Sequence, residues 1–424
     1  MSDKKVAIVL GGLKMHIILI ERLKDRGYYT ILVDYLNAPP AAKYADEHIK
    51  ISTFDIPSIK ELAQNRQTEL IINCCIEHIN VGIAKIAEEL HLPMLYSYET
   101  ALNVSDKYRM KKIMCDHSIP TTAFVCVTST DDLTGLDLGF PVFVKPADGS
   151  GSTGVNKAVN NTELYQFTNL ALKCSRSKAA IIEEEAIGKE CNVYCVIQNG
   201  KAKVILISEK YSEIRGNEQI TKAIGSLTPA LISEKAKLTI SKTAQDIADA
   251  FKLGTMPMFM QLMVNGDEIN IIEFACRMAG GYSFQNIKNK LGFDYFNFTI
   301  DAFLGKETEI KLQDSGEYSS IHSLYASPCI FSHIEGLEEL KKQNVISDFM
   351  VARDSGTQVT NESANREKVG FFIVKGNHID ELLEKIQYTF EHIEAYDIEG
   401  HVVLRKDLYL TRNLLDDTAE EIIK

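Results

Sequence analysis

Apolar positions fall in short unbroken runs in the first part of the chain and in alternating or helical patterns beyond it. Residues 6–10, VAIVL, are continuously apolar and end at Gly11-Gly12. A helical pattern follows, carried by Ile17, Leu19, Ile20 and Leu23 and stopped by Gly27. A second apolar strand, YTILVDY, comes next, so the chain opens with β-α-β, the start of a parallel sheet. LIINCC (70–75) and the helical VGIAKIAEEL (81–90) continue the alternation, with MLYS (94–97) expected as a further strand. This part predicts a doubly wound α/β domain over residues 1–104.

Around residue 105 the pattern changes. SDKYRMKKIMCDHSIP predicts a short basic helix that Pro120 terminates. From 122 to 197 strands dominate the expectation: AFVCV, PVFVK, AAIIEEE and CNVYCVI. Asn199-Gly200, between CNVYCVIQ and KAKVILIS, predicts a two-residue hairpin turn. A long amphipathic helix is expected over about 229–253, with Ile240, Ala244, Ile247 and Phe251 on one face and Gly254 closing it. MFMQLMV, the turn Asn265-Gly266-Asp267 and EINIIEFACR form a second hairpin. From about 311 onward, strands (YSSIHSLYA, KVGFFIV) mix with a helix over 379–393. The fold class is therefore α/β and α+β in succession.

At 424 residues the chain has length for two to four domains, and 45% hydrophobic with 25% charged residues is ordinary globular composition. The net charge of −12 argues against nucleic acid or an anionic membrane as the main partner, while leaving room for a local basic nucleotide pocket. The nine cysteines are odd in number and none forms a CxxC pair, which reads as reduced thiols in a cytoplasmic protein. Cys191 and Cys195 have no histidine nearby and do not predict a zinc site. Each cysteine is expected as a small buried apolar residue. The opening MSDKKVAIVLGG has too short an apolar run for a signal peptide, and no stretch is long enough to predict a membrane span.

Three stretches suggest chemistry. In KPADGSGSTGV (145–155) a lysine precedes small residues that would let backbone N–H groups approach an anion. Gly149 and Gly154 have the GxxxxG spacing, but Val155 and Asn156 stand where a P-loop needs Lys and Ser/Thr. A phosphate-binding loop and a plain hairpin turn both fit these residues. Near the amino terminus, Gly11-Gly12 is followed by Leu13, Lys14 and Met15, so the dinucleotide GxGxxG fingerprint is missing although Asp34 ends the second strand. This leaves a nicotinamide-dependent oxidoreductase without its signature.

In the hairpin 258–277, Gln261 and Glu273 sit on paired strands and can face one side. A carboxylate among Met, Ile and Phe is costly unless paired or bound to a metal, and oxygen donors suit Mg²⁺. The competing reading is a Glu273–Arg277 surface ion pair on an edge strand. IIEEEAIGKE (181–190) reads either as a solvated acidic strand end or as a nucleotide hinge, with carboxylates toward the adenine amino group and the ribose.

The order of these signals resembles the ATP-grasp superfamily: Lys107 in a helix, Lys145 before a Gly/Ser loop, a glutamate run, then Gln/Glu on a hairpin before Arg-x-x-Gly-Gly. VAIVLGG and YTILVDYLNAPPAAKYADEHI are similar to the domain that precedes ATP-grasp in biotin carboxylase and the carboxylate–amine ligases. INIIEFACRMAGGYSFQNIKNKLGFDYFNFTIDAFLG looks most like the L-amino-acid ligase branch, or the related short proteins resembling the carbamoyl-phosphate synthetase large chain. REKVGFFIVKGNHIDELLEKI is similar to that branch's closing domain, so the resemblance covers nearly the whole chain.

The resemblance implies a Rossmann-like domain (1–104), a two-lobed ATP-grasp domain (105–310, lid lobe about 116–187) and a carboxy-terminal α+β subdomain (311–424). It implies that Lys107 and Lys145 contact ATP phosphates under a lid formed by 148–154, including Gly149, Ser150, Gly151, Ser152 and Gly154. Glu183 would meet the adenine amino group, with backbone contacts near Glu184 and Ala186, and Glu190 would bind ribose. Gln261 and Glu273 would hold Mg²⁺ or Mn²⁺, Arg277 would stabilise the transferred phosphoryl group, and Gly280 and Gly281 would let substrate approach. The family often reads Glu-x-Asn-x-Arg where this chain reads EFACR, so Ala275 removes one metal donor.

The activity implied is an ADP-forming carboxylate–amine ligase working through an acyl phosphate on small-molecule acids and amines. A homodimer is implied as well. A bicarbonate-using carboxylase or purine-biosynthesis enzyme and a catalytically degenerate ATP-binding module are the alternatives. Glu213, Arg215, Thr228 and Arg353 are candidates for the substrate pocket.

Overall fold

The computed structural model describes residues 4–136, 139–149, 154–213, 221–413 and 415. Strands Glu47–Ile49, Tyr29–Val33, Val6–Leu10 and Leu70–Ile72 form a parallel sheet in that spatial order. Ile8 lies between Ile31 and Ile71 in register, and all three are fully buried. Such both-face burial is why these strands read as unbroken apolar runs. Helices Lys14–Asp25 and Ile56–Asn65 connect them, and Asn80–Leu90 follows the last strand.

One expected strand is not there. Residues 94–97 pair with no strand and instead lead into helix Tyr98–Ser105, which Ser97 caps by accepting from the Thr100 N–H. The ladder partner is the three-residue edge strand Glu47–Ile49, too short and too polar to stand out.

A second sheet has Phe124–Val127, Ala180–Glu184, Val142–Pro146 and Asn156–Ala158 in antiparallel order. Val144 pairs with Asn156, so the glycine-rich segment does join two hairpin strands. The strand-dominated expectation for 122–197 missed helix Asn161–Cys174, which covers this sheet.

An eight-stranded sheet forms the centre. It begins with the hairpin Glu268–Ala275 and Met256–Asn265, continues through Lys189–Gln198, Lys201–Glu213 and Lys222–Leu227, and ends with Tyr318–Tyr325, Lys368–Gly376 and Asp348–Val351. Helix Glu234–Ala250 packs its Ile240, Ala244 and Ile247 face into the main core. A three-stranded sheet and helix Ile379–His392 complete the carboxy-terminal part. Among the described residues no helix is long and apolar enough to cross a membrane.

The cysteines divide. Cys74, Cys191, Cys195 and Cys276 are buried as expected, but Cys115 and Cys174 are exposed and the others lie between. Cys115 and Cys174 sit near the carboxy-terminal ends of amphipathic helices, where the solvent face comes round.

Candidate active site

Lys107 opens helix Lys107–Asp116, whose first turn is capped by Asp106 accepting from the Arg109 N–H at 2.9 Å. Its backbone N–H donates to the Ala147 carbonyl at 2.9 Å, tying the helix start to the glycine-rich segment. Its ammonium donates to the Gly149 carbonyl at 2.7 Å and lies 3.3 Å from the Glu273 carboxylate.

Glu273 comes from the central hairpin. Gln261 and Glu273 are directly paired, and a register shift follows between Gln261 and Leu262. Such a bulge re-aims side chains next to a site. Burial pushes the Glu273 pKa up, but the cations of Lys107, Lys145 and Arg277 outweigh it and hold the group ionised below its usual value.

Arg277 leaves the same hairpin and donates to the Met278 carbonyl at 2.7 Å. Its Nε lies 2.8 Å from the Glu77 carboxylate, not against Glu273, so the expected Glu273–Arg277 ion pair does not form. Glu77 stands beyond the carboxyl end of strand Leu70–Ile72, the position where open α/β sheets bind ligands. Burial raises its pKa, the neighbouring Glu273 charge adds to this, and Arg277 and Lys107 oppose it. Lys107, Glu273, Arg277 and Glu77 thus alternate in sign around one cavity of about 470 Å³. Ala275 and Phe259 line its floor. At the rim, the Arg176 guanidinium lies over the Phe54 ring at 4.8 Å, and Phe54 stacks on His78 at 4.9 Å.

Behind this cavity is a closed cluster. Lys145 donates to Glu183 at 2.5 Å, and Lys111 reaches the other carboxylate oxygen at 2.8 Å. Lys111 also donates to Thr121 at 2.7 Å and Thr122 at 3.2 Å. All three charged side chains are at most 8% exposed. Burial lowers the Lys145 pKa, with Lys111 and Lys107 adding to the effect and Glu183 opposing it. Glu183 is held below its ordinary value because the two lysines outweigh its desolvation. Both of its oxygens are therefore committed to lysines, not left free for a ring amino group.

A third group continues along the central sheet. Glu190 accepts from Lys210 at 2.7 Å and from the amide nitrogen of Gln261. Gln261 is thus held by Glu190 through its amide nitrogen and stands opposite Glu273 in the hairpin. Both side chains carry oxygen donors of the kind Mg²⁺ takes, and Ala275 adds none. Glu184 is exposed, with its N–H donating to the Ala123 carbonyl at 3.1 Å, and Ala186 is half-buried just beyond the strand. Gly188 has φ +132°, and a Cβ there would lie 2.3 Å from the Val264 carbonyl oxygen, so only glycine fits this strand crossing.

Gly281, with φ +72°, sits against the Phe371 ring, and beside Gly280 there is open space. Gly154, with φ +74°, packs on Pro146 and Cys174. Ser150, Gly151, Ser152 and Arg215 lie outside the described residues. Thr228 is buried and accepts from Asn286, while Arg353 donates to the Lys368 carbonyl at 3.1 Å.

The structure thus brings Lys107, Gly149, Glu273 and Arg277 to one cavity, places Gln261 and Glu190 beside it, and sets Lys145 and Glu183 behind. Sequence reading missed Glu77 and Lys111. Lys107, Met110, Lys111 and Met114 share one face at helical spacing, so a lysine on an apolar stripe was the available signal. For Glu77 the signal was its place just after an apolar parallel strand.

Residues 138–285 match the family model of the ATP-grasp domain. That segment holds Lys145, Glu183, Glu273 and Arg277 but neither Lys107 nor Glu77. The chain is 20% identical over 302 residues to an L-arginine-specific L-amino acid ligase of Bacillus subtilis, covering 69% of this chain and 73% of the relative. It is 25% identical over 385 residues to a formate-dependent phosphoribosylglycinamide formyltransferase of Prochlorococcus marinus, covering 88% and 93%. Among solved structures, L-amino acid ligase from Bacillus licheniformis superposes with a TM-score of 0.75 at 18% identity, covering 93% of this chain and 99% of that one.

Proposed function

Starting from a chain that carries an ATP-grasp domain on an ATP-grasp fold, we propose that it is an ADP-forming carboxylate–amine ligase that joins an amino acid or similar small acid to an amine. The observation that carries this reading is the ring of alternating charges, Lys107, Glu273, Arg277 and Glu77, around one cavity.

In this reading a substrate carboxylate oxygen attacks the terminal phosphorus of ATP, ADP leaves, and an acyl phosphate forms. The amine then attacks the acyl carbon, loses a proton, and phosphate departs with the carbon–oxygen electron pair. Carboxylates need this activation because oxide is a poor leaving group. The protein's share is positioning and charge neutralisation. Lys107 meets the phosphates, Lys145 stays paired with Glu183 behind them and adds positive potential at Glu273, and Arg277 faces the oxygens that gain charge in transfer. Glu77 is the carboxylate on the cavity wall placed to take the proton the amine gives up. Glu273 and the Gln261 carbonyl would hold magnesium, which when bound neutralises phosphate charge. An acyl phosphate hydrolyses readily, so the reaction needs water kept from it.

The amino-acid class is drawn from the likeness to L-amino acid ligases of two Bacillus species, one in sequence and one in fold. A homodimer is the assembly this reading carries. The test is incubation with Mg·ATP and pooled amino acids, with separate formate and bicarbonate arms, reading phosphate and product masses. An ATP-dependent amide in the amino-acid arm is expected. No phosphate above background in any arm would refute the ligase, and turnover only with formate or bicarbonate would refute the substrate class.

A further inference from the structure

The carboxyl end of strand Leu70–Ile72 carries two adjacent thiols that the ligase reading does not use. Cys74 is fully buried and Cys75 is partly exposed. The Cys74 thiol faces the Cys75 sulfur at 3.7 Å. The His16 imidazole completes the group, with its donor atom and both sulfurs all within 4.8 Å of one another.

His16 fixes how this group works. Its Nδ1 accepts the Leu13 N–H at 3.1 Å, which in a neutral ring puts the proton on Nε2. Burial keeps the ring neutral by lowering its pKa to about 4. Nε2–H is itself buried, makes no hydrogen bond of good geometry, and has Asn73 and the Leu10 backbone as its polar neighbours. A buried donor held only loosely gains from a nearby anion, and the imidazole stands beside two sulfurs. A metal at Nε2 would need the lone pair that the proton occupies, so the arrangement suits a thiolate rather than a metal ion. Cys75 is the sulfur that gains most. The Cys74 S–H donates to it and Arg277 adds positive potential, both lowering its pKa against burial.

We propose that Cys74 and Cys75 are an oxidative modification site, a vicinal dithiol that peroxides convert to a disulfide. The Cys75 thiolate attacks a peroxide oxygen, forming the sulfenic acid and releasing hydroxide, which takes a proton. The Cys74 sulfur then displaces hydroxide from Cys75, giving the S–S bond. In sum, two thiols and one hydrogen peroxide become one disulfide and two waters. The accessible sulfur is the nucleophile and the buried one resolves it.

The turn beyond is stapled by Asn73, whose Oδ1 accepts from the N–H of Cys75 at 3.1 Å and of Ile76 at 2.9 Å. Bridging neighbouring residues reshapes the peptide between them and pulls on this staple, one residue before Glu77. If the ligase reading holds, oxidation therefore lowers turnover until a dithiol reductant restores it.

The test uses the full-length protein with one equivalent of hydrogen peroxide, then alkylation, trypsin and mass spectrometry. Both cysteines fall on the peptide from Gln67 to Lys85, which contains no other cysteine. Loss of two hydrogens there, reversed by dithiothreitol, is expected ahead of any change at Cys115 or Cys174. Cys74→Ser should leave a sulfenic acid at Cys75 that dimedone traps, whereas the unaltered protein gives little adduct. Phenylarsine oxide, which bridges paired thiols, should protect the same peptide in unaltered protein even if Cys74→Ser fails to fold. Alkylation of both thiols after peroxide, sulfinic acid at Cys75 without a disulfide, or no arsenical protection would overturn the proposal. These readouts require no ligase turnover, so failure of the modification site and failure of the ligase reading are separable.

Discussion

Two charged clusters of the same residue types lie close together and are built for opposite ends. Lys111, Glu183 and Lys145 are closed off from water, and both carboxylate oxygens already have ammonium partners. Lys107, Glu273, Arg277 and Glu77 face a cavity, and the Glu273 side chain is still 40% exposed. A satisfied buried cluster holds shape, because removing one member strands the others without water. A cluster facing a cavity can exchange its internal pairs for those of a ligand. The lesson is that residue type and spacing do not tell the two apart; the available partners do.

Replacing members of each cluster separates their roles. Glu273→Gln should lower the rate of ATP-dependent phosphate release by about 10²–10³-fold while leaving the melting temperature nearly unchanged, and Arg277→Ala should lower it as much with a smaller stability loss than Glu183→Gln, because Glu77 can take a proton once its partner is gone. Glu183→Gln should do the reverse first. It leaves two lysines in a dry pocket, so stability should fall by ~3–5 kcal/mol in denaturant titration. Equal stability losses in both clusters would erase the distinction.

The pH profile sharpens it further. Burial raises the Glu77 pKa above its ordinary value, whereas Glu183 and Glu273 are held below theirs. On acidification Glu77 therefore takes its proton first and Arg277 loses its partner. The acid limb of activity should lie above the ordinary glutamate range and should move in Glu77→Gln. Because the folded state binds this proton at higher pH than the unfolded chain does, that step favours the fold. The limb should thus appear in turnover and not as unfolding.

The smallest effect belongs to the rim. Phe54→Ala removes the ring between Arg176 and His78 and should raise KM for ATP or acid by roughly two- to fivefold, with little change in kcat.

The same contrast explains what could be read in the chain beforehand. The Gln261/Glu273 hairpin and the Asn199-Gly200 turn follow from local patterns, and the pairs Gln261–Glu273 and Gln198–Lys201 form in register. Lys145 stands out in the sequence beside the glycine-rich segment, but not that Lys111 would share Glu183 with it, since that depends on packing between a helix and a sheet far apart in sequence. Glu77 was hidden for the same reason: its partner Arg277 lies two hundred positions away. The missed strand Glu47–Ile49 is a sheet edge of three half-buried residues, where period and propensity carry little information.

The central claim is that a substrate carboxylate takes the terminal phosphoryl group of ATP inside the Lys107–Glu273–Arg277–Glu77 cavity. The most direct measurement uses substrate acids labelled with oxygen-18 in the carboxylate, turned over with Mg·ATP, and the phosphate released is weighed by mass spectrometry. The account predicts one labelled oxygen in the phosphate for each amide formed. Amide formation with unlabelled phosphate would contradict it.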